Sequence, residues 1–174
     1  MKATDLLTQQ HKKTKAQFKK LESGKGDAAT LQELGNDLAA HMLIEHELFY
    51  PAVIALDEQM VEESFEEHAL GELALKRLLS LDPSEDGFRA KVVAVRELIE
   101  HHADEEEDEL FPKVEKAIDG ELLKQLGREM KARFDQVVVE GWEQIYPQGM
   151  AGNKTLADAA AQKLARARAK RRAA

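Results

Sequence analysis

Cysteine is absent from this 174-residue chain, which excludes disulfides, thiolate-bound zinc and iron–sulfur clusters. Any metal must therefore sit on nitrogen and oxygen donors. Aromatic residues are scarce at 5%, and helix formers such as Leu, Ala, Glu, Lys and Gln fill most of the rest, a composition that favours helices over strands. Long apolar runs are missing too. None approaches the roughly 20 residues of a membrane span, and Met1–Gln10 lacks the apolar stretch of a secretory signal. A cytoplasmic protein is the expectation.

Charge is unevenly spread along the chain. From Lys154 onward seven Lys or Arg face a single acid, Asp158, giving +6, so the net charge of −8 leaves −14 on residues 1–153. A body that acidic repels nucleic acid, which confines any such contact to the basic tail. The length suits one domain with a real core. The expected division is a domain over 1–150 and a basic, Ala/Arg-rich tail over 151–174, read as a solubilising and partly disordered end.

Apolar residues recur with the helical period, and turn signals divide them into an all-α, up-down four-helix bundle with a short fifth helix. The first helix runs from a Thr4 N-cap to Leu21, before the Ser23, Gly24, Gly26, Asp27 cluster. Thr30 with Glu33 reads as a capping box opening a second helix to about Leu56, and a third spans about Asp57 to Leu79. Asp82, Pro83 and Glu85 read as the start of a fourth, which ends near Gly120. Residues 121–145 form the fifth, stopped by Pro147 and Gly149.

Ionisable residues interrupt each inward seam: His11 in the first helix, His41 and Glu45 in the second, His68 and Glu72 in the third, His102 and Glu106 in the fourth. Buried, such groups are costly unless paired or bound to metal. An internal repeat organises them. His41, Glu45 and Pro51 match His102, Glu106 and Pro112 in spacing, and each set follows a helix with one inward histidine, His11 or His68. Residues four apart share a helix face, so each His-x-x-x-Glu pair can reach the same metal site. Four imidazoles and two carboxylates without thiolate suit iron, manganese or zinc, and a carboxylate-bridged pair with open positions suits oxygen-reactive iron best. The Glu-x-x-His motif of ferritin-like centres and the His-Glu-x-x-His motif of metalloproteases are both missing.

The repeated His-x-x-x-Glu with its following aromatic and proline (Phe49, Tyr50, Pro51; Leu110, Phe111, Pro112) resembles the hemerythrin-like, or HHE cation-binding, family over about residues 4–118. The resemblance implies two iron ions with a solvent-derived bridge. His11 and His41 would bind one iron, His68 and His102 the other, and Glu45 and Glu106 would bridge them. Where family members carry a second histidine four residues after that of the third helix, this chain has Glu72. Glu72 is therefore an additional candidate ligand, and a Glu72–Lys15 ion pair is the alternative.

Other residues near the motif get plainer readings. His101 competes with His102, but alignment to Pro112 and the seam through Val95 and Ile99 select His102. His46 is expected to pack or meet solvent, and Tyr50, matched by Phe111, to pack. The two prolines are expected to kink their helices. Three functions remain open: reversible binding of oxygen or a related ligand such as nitric oxide, for sensing, storage or delivery; redox catalysis or repair of iron centres by iron donation; and a metal-free interaction bundle, including a histidine phosphotransfer module.

Overall fold

Four helices form a ring in which each packs on the next in chain order and the last returns to the first: α1 (Ala3–Glu22), α2 (Ala28–Ile44), α4 (Glu58–Leu79) and α5 (Phe88–Glu105). The structure, a computed structural model, describes residues 1–146 and 155–172. Pro147 and Gly149, expected to stop the fifth helix, lie outside the described residues. The expected bundle is present, and its seam residues Leu7, Phe18, Leu34, Leu38, Leu75, Val92 and Val95 are buried.

Three helix starts differ from expectation. Lys2 caps α1, and its N–H donates to Asp5 Oδ2 at 2.9 Å; Thr4 lies inside the helix and donates to Glu115 Oε1 at 2.7 Å. Asp27 caps α2 by accepting from the Thr30 N–H at 2.9 Å, so Thr30 is capped and does not cap. Asp82, Pro83 and Glu85 form a turn whose acids bond locally, and α5 starts only at Phe88, after Gly87 with φ +82°. The left-handed backbone there suits glycine, which turns the chain into the helix without a Cβ penalty.

The two proline sites are wide turns. At Glu45–Phe49 and again at Glu106–Leu110 the helix is π-helical, then continues as α3 (Tyr50–Val53) and α6 (Phe111–Ala117). A proline lacks the N–H for the helical bond and its ring crowds the carbonyl four residues back. The π turn relieves that by one extra residue: the Tyr50 N–H bonds the Glu45 carbonyl, and the Phe111 N–H bonds the Glu106 carbonyl. The seam shifts accordingly. Steps of three and four continued from Glu45 without a π turn would bury Leu48 and Ala52; Phe49 and Val53 are buried instead.

Three more helices clad the bundle. Helix α7 (Gly120–Val137) lies on α1 and α2, and a Cβ on Gly127 would stand 2.7–2.9 Å from the Met1–Ala3 backbone, so only glycine permits that approach. Helix α8 (Trp142–Ile145) packs on α2. The tail, expected to be partly disordered, instead forms α9 (Leu156–Arg172) against α4 and the first π turn. It packs through small residues: Ala157 is buried, and Ala160, Ala161 and Leu164 join the same core cluster. Arg168 pairs with Glu58 and Glu62 of α4. Among the described residues no helix is long and apolar enough to cross a membrane.

Candidate metal centre

Each π turn begins at a seam glutamate, so Glu45 and Glu106 stand at the end of regular α-helix with their side chains in the bundle interior, 0% and 1% exposed. His41 and His102, one turn earlier, lie on the same face. His11 and His68 enter from α1 and α4. The imidazoles meet in pairs through their Nε2 atoms, His11 to His41 at 3.2 Å and His68 to His102 at 2.8 Å. Each glutamate reaches both pairs. Glu45 lies 3.2 Å from His41 Nε2 and 3.5 Å from His68 Nε2, while Glu106 lies 3.5 Å from His11 Nε2 and 3.8 Å from His102 Nε2. Ligand atoms of His11, His41 and Glu45 fall within 4.8 Å of one another, as do those of Glu45, His68 and His102.

The outward Nδ1 atoms determine what the inward atoms present. His11 Nδ1 meets Glu107 Oε1 at 2.8 Å, His41 Nδ1 meets Gln10 Oε1 at 2.8 Å, and His102 Nδ1 meets Glu67 Oε2 at 2.7 Å. These oxygens only accept, so the proton belongs on Nδ1 and the lone pair on Nε2. His68 Nδ1 meets His46 Nε2 at 2.8 Å and can donate in the same way. Four lone pairs thus converge, two by two, alongside buried Glu45 Oε1, Glu45 Oε2 and Glu106 Oε2, none of which has a hydrogen-bond partner. Acceptors facing acceptors at hydrogen-bond distance repel. A cation between them resolves the repulsion, so the donor set fits metal ions held by nitrogen and oxygen.

Electrostatics agree at three of the four imidazoles. Burial, with the charge of His102 next, lowers His11 to about 3. Burial and neighbouring histidines hold His41 and His68 well below the usual range. His102 is the exception: burial pushes it down, but the charge of Glu106 and the bond to Glu67 outweigh that and raise it. Burial and Glu106 lift the Glu45 carboxyl well above its ordinary value.

Of the sequence-predicted residues, His11, His41, Glu45, His68, His102 and Glu106 are brought together here. His101 points away with a side chain 64% exposed, in keeping with the selection of His102. His46 is buried as expected of a packing residue, but it also holds His68. Tyr50 does more than pack: its hydroxyl donates to Glu106 Oε1 at 3.0 Å and lies 3.3 Å from His68 Nε2. Glu72 is buried with both oxygens engaged outside the cluster, Oε1 by Lys76 Nζ and Oε2 by the Leu156 N–H at 2.8 Å. Lys15 pairs instead with Asp104 at 2.6 Å, so the alternative Glu72–Lys15 pair does not form either.

Sequence reading missed Gln10, Glu67 and Glu107. The repeat itself carried the signal. Gln10 and Glu67 directly precede His11 and His68 and hold the histidine of the next long helix; His46 and Glu107 directly follow Glu45 and Glu106 and hold the single histidine of the other half.

The comparisons with known proteins agree with this geometry. The chain belongs to the hemerythrin family: the model of the hemerythrin HHE cation binding domain matches residues 2–114. It is 28% identical to a hemerythrin HHE cation binding domain-containing protein, the Rv2633c homolog from Mycobacterium kansasii; that crystal structure superposes with a TM-score of 0.70 over 80% of this chain and 89% of that one. It is also 26% identical, over 142 residues, to a DNA nickase from Nostoc sp. (strain PCC 7120 / SAG 25.82 / UTEX 2576). That match covers 79% of this chain but only 40% of the relative. The chain is thus a helical metal-binding bundle of the HHE type.

Proposed function

We propose that the bundle holds two iron ions, His11 and His41 binding one, His68 and His102 the other, with Glu45 and Glu106 bridging them. Through this centre it binds oxygen or a related small ligand such as nitric oxide reversibly, for sensing, storage or delivery. The supporting observation is the convergence of four imidazole lone pairs on two unpartnered, buried carboxylates. Iron so held, with a solvent-derived bridge, supplies reversible binding of small diatomic ligands and one-electron chemistry.

The chain's own groups define the surroundings. Gln10, Glu67, Glu107 and His46 keep each Nε2 aimed inward. A cavity of about 10 Å³, room for about one water-sized molecule, touches all four histidines and is lined as well by apolar Leu38, Met42, Ile99 and Ala103 and by Thr14, Lys15 and Glu100. Glu72 is left out of the ligand set because both its oxygens are bonded elsewhere.

A second reading, redox catalysis or iron donation, is favoured by one observation. The Tyr50 hydroxyl, bonded to Glu106, puts an oxidisable group with a proton beside the centre. Nicking of nucleic acid, named for the Nostoc relative, finds less support in a body carrying −14.

Metal analysis of protein purified with iron, followed by optical spectra of the reduced form before and after air, tests the proposal. Two irons per chain and a spectral change reversed by deoxygenation are expected. Bleaching with iron release would move the assignment to the second reading, and fewer than one iron per chain would overturn both.

A further inference from the structure

The centre has a second approach that the small-ligand reading does not use. His102 also lines a second cavity, of about 260 Å³, between α4 and α5, which Ile99 does not touch. Six acids line it, Asp57, Glu63, Glu67, Glu105, Glu106 and Glu109, with no Lys or Arg among the lining residues. Acids alone would mark only a solvated face. The inner wall here is different: it is formed by His102 and by Glu106, which is 1% exposed and has an unpartnered Oε2. Ligand atoms of Glu67 and Glu105, which line the cavity, and of exposed His101 beside it lie within 4.8 Å of one another. Glu67 also holds His102 Nδ1 at 2.7 Å, so one carboxylate belongs to both the waiting group and the centre.

We infer that this funnel is the loading route for divalent cations, with Glu67, Glu105 and His101 as a transient station from which the ion passes to His102 and Glu106. The inference rests on the metal-centre reading above. Its physical basis is that a cleft lined by one sign of charge between low-dielectric walls focuses the field and speeds entry of the opposite ion. Exposed oxygens at the mouth hold a hydrated divalent ion weakly, while imidazole and buried carboxylate deeper in hold it more tightly. Occupancy therefore rises inward. Lys113 modulates the rim: it pairs with Asp57 at 2.8 Å and approaches Glu109 at 3.9 Å.

Stopped-flow uptake of Co²⁺ by metal-free full-length protein, followed by cobalt absorbance, separates rate from capacity. Wild type, Glu105→Gln with Glu109→Gln, Glu63→Gln, Lys113→Ala and Glu97→Gln are compared; Glu97 is an exposed acid of the same helix outside the funnel. Funnel carboxylate variants are expected to load on the order of tenfold more slowly at low salt, with unchanged final cobalt per chain, and the difference should vanish as salt is raised. Lys113→Ala should load faster. Equal rates in wild type and the funnel variants, or equal slowing in Glu97→Gln, overturn the route and leave the centre standing. A wild type that takes up no cobalt overturns the centre and the route together.

Discussion

Tyr50 and Phe111 occupy the same place in the two halves of the repeat, each five residues after a buried glutamate, but they act on different partners. The Tyr50 hydroxyl donates to Glu106, whereas the Phe111 ring stacks on His11 with centroids 6.1 Å apart and an interplanar angle of 8°. The two otherwise matched carboxylates are thereby made unequal: Glu106 has a donor and Glu45 has none.

Tyr50→Phe is expected to keep both metals while destabilising the metal-free protein by about 1–3 kcal/mol, the cost of leaving a buried acceptor without its donor. Urea unfolding of the metal-free form checks the stability, and the ligand-binding spectrum of the iron form checks the centre. If a redox role dominates, Tyr50→Phe also changes the rate at which the reduced protein is oxidised in air.

The pH dependence follows from opposite shifts. Histidines lowered in the fold, such as His11 at about 3 against 6.5, contribute stability that is present above 6.5 and lost as pH falls toward 3. The raised Glu45 carboxyl does the reverse: its contribution is present below its ordinary 4.5 and lost as pH rises through its folded value. Metal needs Glu45 ionised and so relieves that second loss. The melting gap between metal-loaded and metal-free protein should therefore widen from about pH 5 to about pH 8, with protons released on binding. Calorimetry in buffers of different ionisation enthalpy measures the release; a gap that narrows with pH contradicts the assignment.

Adjacent histidines should separate cleanly. His102→Ala is expected to lower metal content well below two per chain, while His101→Ala retains it. His46→Ala should also retain two metals but weaken binding about 10–100-fold, because it frees His68 Nδ1 rather than removing a ligand. Metal titrations against a competing chelator distinguish the three.

Glu72→Ala should leave metal content unchanged and loosen α9. The variant loses the acceptor for the Leu156 N–H and the partner of Lys76. Faster amide exchange across residues 156–172, at unchanged metal stoichiometry, is the expected outcome; loss of metal would return Glu72 to the ligand set.

Much of this was legible because helical period and metal chemistry constrain the same positions. His11, His41, Glu45, His68, His102 and Glu106 could be picked out because charge on an apolar seam needs a partner. A uniform period through Glu45 points to Leu48 and Ala52 as inward because it cannot show a π turn, although Pro51 signals that something must yield. Thr30 misled because Asp27, three residues earlier, is an equally good cap. The packing of α9 was hidden because most of its inner face is Ala157, Ala160 and Ala161, beside Leu156 and Leu164; the small side chains give little hydrophobic contrast yet allow close approach.

Glu45 binds together His41 of its own half and His68 of the other, as Glu106 does with His102 and His11. Neither half therefore contains a finished site. In the proposed centre each supplies two imidazoles and one carboxylate and is completed only by the other half, which is how an isologous homodimer would share one centre between two identical subunits. The covalent link between the halves turns that symmetric pairing into a single chain. It also frees each half to vary alone: His46 opposite Glu107, Gln10 opposite Glu67 and Tyr50 opposite Phe111 are differences that no homodimer could carry.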